Sequence, residues 1–448
     1  MKFLPTLVAI SAVFVAAVQF VPVLPVDVRS DQSVTAVQQE STSEVVQEVT
    51  QEPVVDDRPV VQHVPLPDSV KAIYMSSCVA GTPSFRDRLI QLVQETEVNS
   101  IMIDVKDYSG TISFRPESQA WLPAWNAAEC GARDMREFIA RLHQEGIFVI
   151  GRITVFQDPF YAPQNLEQAV QRLDKQTVWR DGKGLAFVDV ASKPYWDHVI
   201  ELAVESYNIG FDEINFDYVR YPSDGNMQDI WFPKSMAGAY GADKQANLEA
   251  FFSYLHAAMQ DESRFASYRH EGTGRPTSLP WTSADLFGMT TTNYDDLSIG
   301  QIQDRAAPYF DFIAPMVYPS HYTDGFIGAN PNDYPYEVVY KAMSVGVTRM
   351  QSTSTPITGF LHTPITISNA SGTPIATGNY LKPAYGPDKF RTWIQDFDYG
   401  GDYDAADVRT QIQASYDAGV DSWMIWAPSN IYTKASLLPA VVSTSAQR

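Results

Sequence analysis

Carboxylates and other polar residues finish one apolar run after another along this chain. Ile103 is flanked by Asp104, with Lys106 and Asp107 just beyond. Asn215-Phe216 leads to Asp217, followed by Arg220 and Tyr221. Ser283-Ala284 leads to Asp285, and Pro315-Met316-Val317 leads to Tyr318 and His321. Trp393-Ile394 leads to Gln395 and Asp396, and Trp423-Met424-Ile425 closes on Trp426. Cleaving a glycosidic bond takes two carboxyl groups flanking that bond, one protonated and one ionised. Aromatic faces stack on the apolar faces of sugar rings, while Asp, Gln and Arg bond the hydroxyls. These residue types are the ones interleaved here. Competing chemistries lack their signatures. The seven histidines show no H-x-x-H or H-E-x-x-H spacing, so no metal is expected. There is no G-x-S-x-G elbow, Walker A sequence or G-x-G-x-x-G, and no cofactor is expected.

These residues can converge only if the runs are strands of one sheet. The pattern alternates short Val/Ile/Phe-rich runs with longer stretches of helical spacing, as βα units do. Strands are predicted near Val70–Met75, Ser100–Val105, Ile147–Ile153, Asp212–Asp217, Thr282–Phe287, Phe310–Val317, Phe390–Gln395 and Ser422–Trp426. Helices are predicted over Ser84–Thr96, Ala132–Gln144, Tyr195–Tyr207, Lys244–Gln260, Ile302–Ala307, Tyr336–Met350 and Asp404–Ala418. Gly146, Gly210 and Gly419 stand between a helix and the next strand, where C-caps belong. Eight strands with helical crossovers define an α/β (β/α)8 TIM barrel with enlarged loops. Residues 356–388 break the alternation and read as a β-hairpin insertion before the seventh barrel strand.

In such a barrel chemistry sits at the C-terminal ends of the strands. Asp217 is therefore the candidate nucleophile and Asp285 the candidate acid. Asp104 and Lys106 alternate with Ile103 and Val105, so they should share one side of their strand. They either touch substrate or form an ion pair that holds Asp217. Arg220 reads first as the ion-pair partner of a strand-end carboxylate and second as a substrate ligand. Asp107, Tyr221, Tyr318, Gln395, Asp396 and Trp426 are further candidate contacts. His321 is either a contact, an aid to the acid, or a structural histidine. Trp121, Trp125, Trp231 and Trp426 are candidate stacking platforms. Asp212 precedes its strand and should be structural, at the opposite face.

The chain has 448 residues and a formal charge of −21, a sign of field that repels phosphate backbones and excludes nucleic acid as a partner. Lys2 precedes an apolar run to Leu24, so residues 1–26 read as a signal peptide or membrane anchor. On either reading the rest of the chain lies outside the cytoplasm, with membrane contact only through that segment. Between Asp27 and Val70 nine acids and two bases occur among repeated Val, Gln, Thr and Ser with no helical period. Residues 27–69 therefore read as a disordered acidic linker, and 70–440 as the barrel. Cys78 and Cys130 both fall at the top of the barrel. They read as two separate thiols, with a bridge open to a chain outside the cytoplasm. The sequence assigns no oligomeric state.

Long ordered motifs then carry a resemblance. They are Val105-Lys106-Asp107, Phe211 to Ile214, Phe216 to Pro222, Asp285-Leu286-Phe287-Gly288, Ile299-Gly300-Gln301, Pro315 to Tyr322 and Gln395-Asp396-Phe397. Together they resemble a bacterial family first catalogued as a domain of unknown function and grouped with glycosyl hydrolases. The resemblance covers about Val70 to Tyr432 and implies a TIM barrel of the glycosidase kind. Two features depart from it: Ala427 follows Trp426 where Asn is expected, and 356–388 is additional. A chitinase-type motif would place Glu at position 219, which is Val219. The resulting expectation is a glycosidase acting on an extracellular or cell-wall polysaccharide with paired carboxylates. The Asp at the end of the fourth strand points to retention. The alternative is a barrel at the cell envelope that binds glycans without cutting them.

Overall fold

The computed structural model describes residues 59–265 and 279–440. The expected signal or anchor and the expected linker up to residue 58 lie outside the described residues. The strands are β1 (Lys71–Met75), β2 (Ser100–Lys106), β3 (Phe148–Thr154), β4 (Glu213–Asp217), β5 (Trp281–Phe287), β6 (Phe312–Met316), β7 (Ser354–Thr355), β8 (Thr363–Ser368), β9 (Pro374–Leu381), β10 (Thr392–Gln395) and β11 (Trp423–Trp426). Eight of them close into a parallel barrel in the order β1-β2-β3-β4-β5-β6-β10-β11, with β11 back against β1. This is the (β/α)8 TIM barrel expected.

The α-helices are α1 (Ser77–Ala80), α2 (Pro83–Glu95), α3 (Leu122–Asn126), α4 (Met135–Gln144), α5 (Lys193–Ile209), α6 (Pro233–Ala237), α7 (Lys244–Met259), α8 (Gln303–Ala306), α9 (Pro335–Gln351) and α10 (Ala405–Asp417). Gly210 ends α5 at φ 125°, a left-handed conformation that a side chain would oppose. Its N–H bonds back to the last turn, and the chain enters β4 three residues later. Asp404 caps α10 reciprocally with Asp407. Among the described residues no helix is long and apolar enough to cross a membrane.

Alternation along the strands builds two apolar layers. Ala72, Tyr74, Met102, Phe148, Ile150, Ala314, Trp393 and Met424 fill the barrel. The opposite faces, such as Ile73, Ile103, Ile153, Ile214 and Ile425, pack beneath the helices. Low in the barrel, buried Glu213 and Arg391 form an ion pair, and Ser283 donates to the same carboxylate. Burial removes water from both charges, so neither is tolerable there without the other.

The insertion is a three-stranded antiparallel sheet in the order β7-β9-β8, largely solvent-exposed. Residues 59–69 differ from expectation: they are packed, not a solvated linker. Val61 is buried, and Val64 and Leu66 close the lower end of the barrel interior. The Val64 N–H and His63 bond the carboxylate of Asp212, which also accepts from His143 and the Val149 N–H. Asp212 is thus structural, as expected. Cys78 and Cys130 form a disulfide, which corrects the expectation of separate thiols. It ties the end of β1, through α1, to the loop before α4.

Candidate active site

Strand register assembles the site. Asp104 pairs with Arg152, Arg152 with Asn215, and Asn215 with Ser283, so these residues form one inward-facing ring. Two residues further along β4 and β5 stand Asp217 and Asp285, level with each other on neighbouring hydrogen-bonded strands. Both are at least 95 % buried and both line a cleft of about 860 Å³ at the C-terminal end of the barrel.

Arg152 organises the carboxylates. One edge of its guanidinium bonds Asp217, with Nε at 3.1 Å from Oδ2 and Nη2 on the same oxygen. Nη1 bonds Asp104 Oδ1 at 2.6 Å. The same Nε lies 4.0 Å from Asp285 Oδ2. The two Nε distances together cap the separation of the Asp217 and Asp285 oxygens at about 7.1 Å, within the range in which two carboxyls can flank one bond. Asp217 Oδ1 accepts the N–H of Tyr218 at 2.6 Å. Tyr218 holds φ 52°, a conformation costly for a non-glycine residue. The strand therefore stops abruptly at Asp217, and the chain turns along the cleft.

Asp285 is treated differently by its surroundings. Its Oδ1 accepts from Asn215 Nδ2 at 2.9 Å and Trp393 Nε1 at 2.8 Å. Burial pushes its carboxyl well above the usual range, the charge of Asp217 adds to the push, and Arg152 and the two bonds only partly oppose it. Adjacent carboxylates in separated environments are the arrangement by which one stays protonated as an acid while the other serves as a base or nucleophile. Asp104, behind Arg152, is raised to about 6 by burial against the pull of Arg152 and of the Tyr74 hydroxyl.

Much of the rest of the cleft is aromatic. Tyr318, Trp393, Trp426 and Phe287 line its floor, and Phe397 and Tyr399 its rim. Burial and the charges of Asp285 and Asp217 hold the Tyr318 hydroxyl protonated. His321 packs edge-on to Tyr318 at 5.4 Å, and burial together with Lys183 pulls its pKa down, favouring the neutral ring. Among the described residues no cluster of three or more His, Cys, Asp or Glu is arranged to hold a metal ion.

Of the residues singled out from sequence, Asp217, Asp285, Arg220, Tyr318, His321 and Trp426 meet in this cleft. Six do not line it. Asp104 lies behind Arg152 and supports it. Lys106 is fully buried and paired with Asp158 at 3.0 Å, not with Asp104. A β-bulge between Asp104 and Lys106 breaks the alternation and sets Lys106 opposite Ile153. Asp107 accepts from Ser77 and Ser109 and shapes a turn. The Tyr221 hydroxyl meets Ser235, Gln395 braces Ser320 and Phe397, and Asp396 holds Thr433. Arg220 makes no ion pair among the described residues, and the cation facing Asp217 is Arg152. Trp121 is buried against His198, and Trp125 and Trp231 also lie away from the cleft. Arg152 had a readable signal: it is the lone charge in the apolar run Phe148–Thr154, and a charge in a buried strand needs carboxylates beside it.

Comparison with known proteins adds the lineage. Residues 72–363 and 373–432 match the family described as "Putative glycosyl hydrolase domain". The chain belongs to this family. Only residues 364–372 fall between the matched segments, so the unmatched part is β8 after its first residue and the turn that follows, rather than all of 356–388. No curated protein matches the sequence. Among solved structures, the glycoside hydrolase domain of PgaB (BpsB) from Bordetella bronchiseptica superposes with a TM-score of 0.52 at 12 % identity, over 81 % of this chain and 95 % of that one. A hypothetical protein from Ruminiclostridium thermocellum shares 25 % identity, covering 51 % of this chain and 98 % of its own, with a TM-score of 0.36. The catalytic domain of a Paenibacillus polymyxa β-amylase gives 0.45 at 11 % identity, over 84 % and 96 %. The family and the barrel with its glycosidase-like architecture agree with the resemblance read from the motifs.

Proposed function

We propose that this family member hydrolyses glycosidic bonds of an extracellular or cell-wall polysaccharide, with Asp217 as nucleophile and Asp285 as general acid. One observation carries the reading. Two carboxyls stand level on adjacent strands at a cleft floor, one gripped by Arg152 and the other driven toward its neutral form. Asp285 donates its proton to the departing glycosidic oxygen while Asp217 attacks the anomeric carbon. Asp285, now ionised, then takes a proton from the water that releases the sugar. Retention is supported by the strand spacing, since neighbouring strands lie about 4.8 Å apart and retaining pairs stand about 5–5.5 Å apart. The disulfide supports a site of action outside the reducing cytoplasm.

The test is a glycan-library digest with wild type, Asp217→Asn and Asp285→Asn in parallel. Asp217→Asn should abolish turnover while leaving binding. Asp285→Asn should slow substrates with poor leaving groups far more than activated aryl glycosides, which need little protonation. Binding without cleavage by the wild type across the library would favour a barrel that only holds glycans. Equal loss on both substrate types would remove Asp285 from the acid role.

A further inference from the structure

Arg220 is a buried cation in this cleft that the paired carboxylates do not use. Its guanidinium lies over two rings, 4.7 Å from the centroid of Tyr218 and 4.9 Å from that of Phe287. Nη1 is committed to the protein, donating to Tyr221 O at 3.0 Å and Ser223 Oγ at 3.2 Å. Nε and Nη2 donate to nothing among the described residues, and neither is sealed in the interior. Among the described residues no carboxylate forms an ion pair with Arg220. Asp217, Asp224 and Asp181 are near enough for their charge to act on it, but Asp217 is already matched by Arg152. Burial works against the charge of a guanidinium held this way. Lys183 stands exposed on the same cleft, also without an ion-pair partner among the described residues.

An immobilised guanidinium with two donors left unused among the described residues is poised to take a ligand on that edge. Nε and Nη2 present two parallel donors, the spacing that matches the two oxygens of a carboxylate. Contact with the two rings restrains the fork. A chain of net charge −21 offers an anion no long-range attraction, so selection for one must come from local groups.

The geometry points to a subsite for a sugar carboxylate: the substrate is an acidic glycan whose uronic acid residue docks its carboxylate on Arg220 Nε and Nη2, with Lys183 at the rim. This rests on the glycosidase reading of the same cleft and adds the substrate class to it.

The test separates the two. Full-length Asp217→Asn, which holds sugar without turnover, is titrated with oligomers of galacturonic, glucuronic, mannuronic and guluronic acid and with their carboxyl-reduced neutral counterparts. At least one acidic oligomer should bind roughly 10- to 100-fold more tightly than its reduced form, as a charge-assisted pair implies. Arg220→Met in this background should erase that ratio. Arg220→Lys, which keeps the charge and loses the fork, should recover only part of it, and Lys183→Ala should reduce it modestly. A thermal melt of each variant confirms folding. Because Lys183 is on an exposed loop, its variant reports even if Arg220→Met unfolds. No preference for any acidic oligomer, a preference that survives Arg220→Met in folded protein, or stronger selection for a sulfated than a carboxylated oligomer would overturn the inference. An acidic preference that depends on Arg220, in a wild type that cleaves none of these oligomers, would uphold the subsite and sink the hydrolase reading instead.

Discussion

Arg152→Met removes the one cation shared by the buried carboxylates while keeping much of the side chain's volume. In the wild type the side chains of Arg152, Asp104 and Asp217 are each at least 93 % buried. Without Arg152 two carboxylates lose their partner in a site that water reaches poorly. Breaking a buried ion pair from one side costs about 3–5 kcal/mol, a large part of the whole stability of a typical domain. The loss should also depend on pH, with a defined sign. Asp104 is raised to about 6 in the folded protein, chiefly by burial, with Arg152 the foremost pull against it. Its unfolded value is about 3.9. The native state therefore holds an extra proton between roughly pH 4 and 6, and this group's contribution to stability falls as pH rises through that window. Taking Arg152 away raises Asp104 further, so the gap between variant and wild type should widen from pH 4 to pH 7. Adding Asp217→Asn to Arg152→Met removes one stranded charge and should return about 1–3 kcal/mol at pH 7. The assay is equilibrium urea unfolding at pH 4.5 and pH 7, followed by fluorescence and circular dichroism to test for a single transition. A loss under about 1 kcal/mol, or a loss that is the same at both pH values, would refute the view that Arg152 carries these carboxylates.

Asn215→Leu deletes a bond that favours the ionised form of Asp285. The acid should then hold its proton to higher pH, and the alkaline limb of kcat/KM should move upward; a downward or absent shift, read on any cleaved substrate, would contradict the assignment. Replacing Cys78 and Cys130 by Ser opens a cross-link between residues 52 apart. The chain-entropy model puts the loss at about 4 kcal/mol, measurable as a lower denaturation midpoint without loss of the barrel's circular dichroism. Shortening the hairpin by replacing 366–376 with a two-residue turn should leave both the melting temperature and the cleft chemistry nearly unchanged, since these residues are almost all exposed. A collapse in expression or turnover would show that the hairpin supports the barrel.

Much of the architecture was legible because each barrel strand is an apolar run with a polar stop, and the longer helices carry a clear 3.6-residue period. The short helices α1, α3 and α6 were not, since four or five residues are too few to show a period. Asp217 and Asp285 could be picked out because Asp217 ends β4 and Asp285 lies near the end of β5, both toward the barrel mouth. Lys106 was misplaced because alternation assumes an unbroken ladder, and the bulge beside it is invisible in the sequence. Asp396 and Tyr221 have the right residue types at the right height, but their partners, Thr433 and Ser235, come from loops and short helices that no pattern located. Arg220 reads as a partner for a strand-end carboxylate, because nothing in the order of residues reveals that Arg152, 65 positions before Asp217, already fills that place. Residues 59–69 passed for linker because Val61, Val64 and Leu66 are spaced among polar residues and prolines, with no period to mark them as packed.

The level placement of Asp217 and Asp285 on β4 and β5 has a consequence for how such enzymes diversify. Their spacing is ruled by the hydrogen bonds of the sheet, about 4.8 Å from strand to strand, and not by any loop. Arg220, His321, Phe397 and Tyr399 stand beyond the strands, on the connections that can lengthen, shorten or change composition without disturbing the ladder. On the proposed hydrolase mechanism, bond breaking and the choice of polymer rest on separate parts. Grafting these connections from one family member onto another should transfer the preference for a polymer while the anomeric configuration of the product stays that of the recipient barrel.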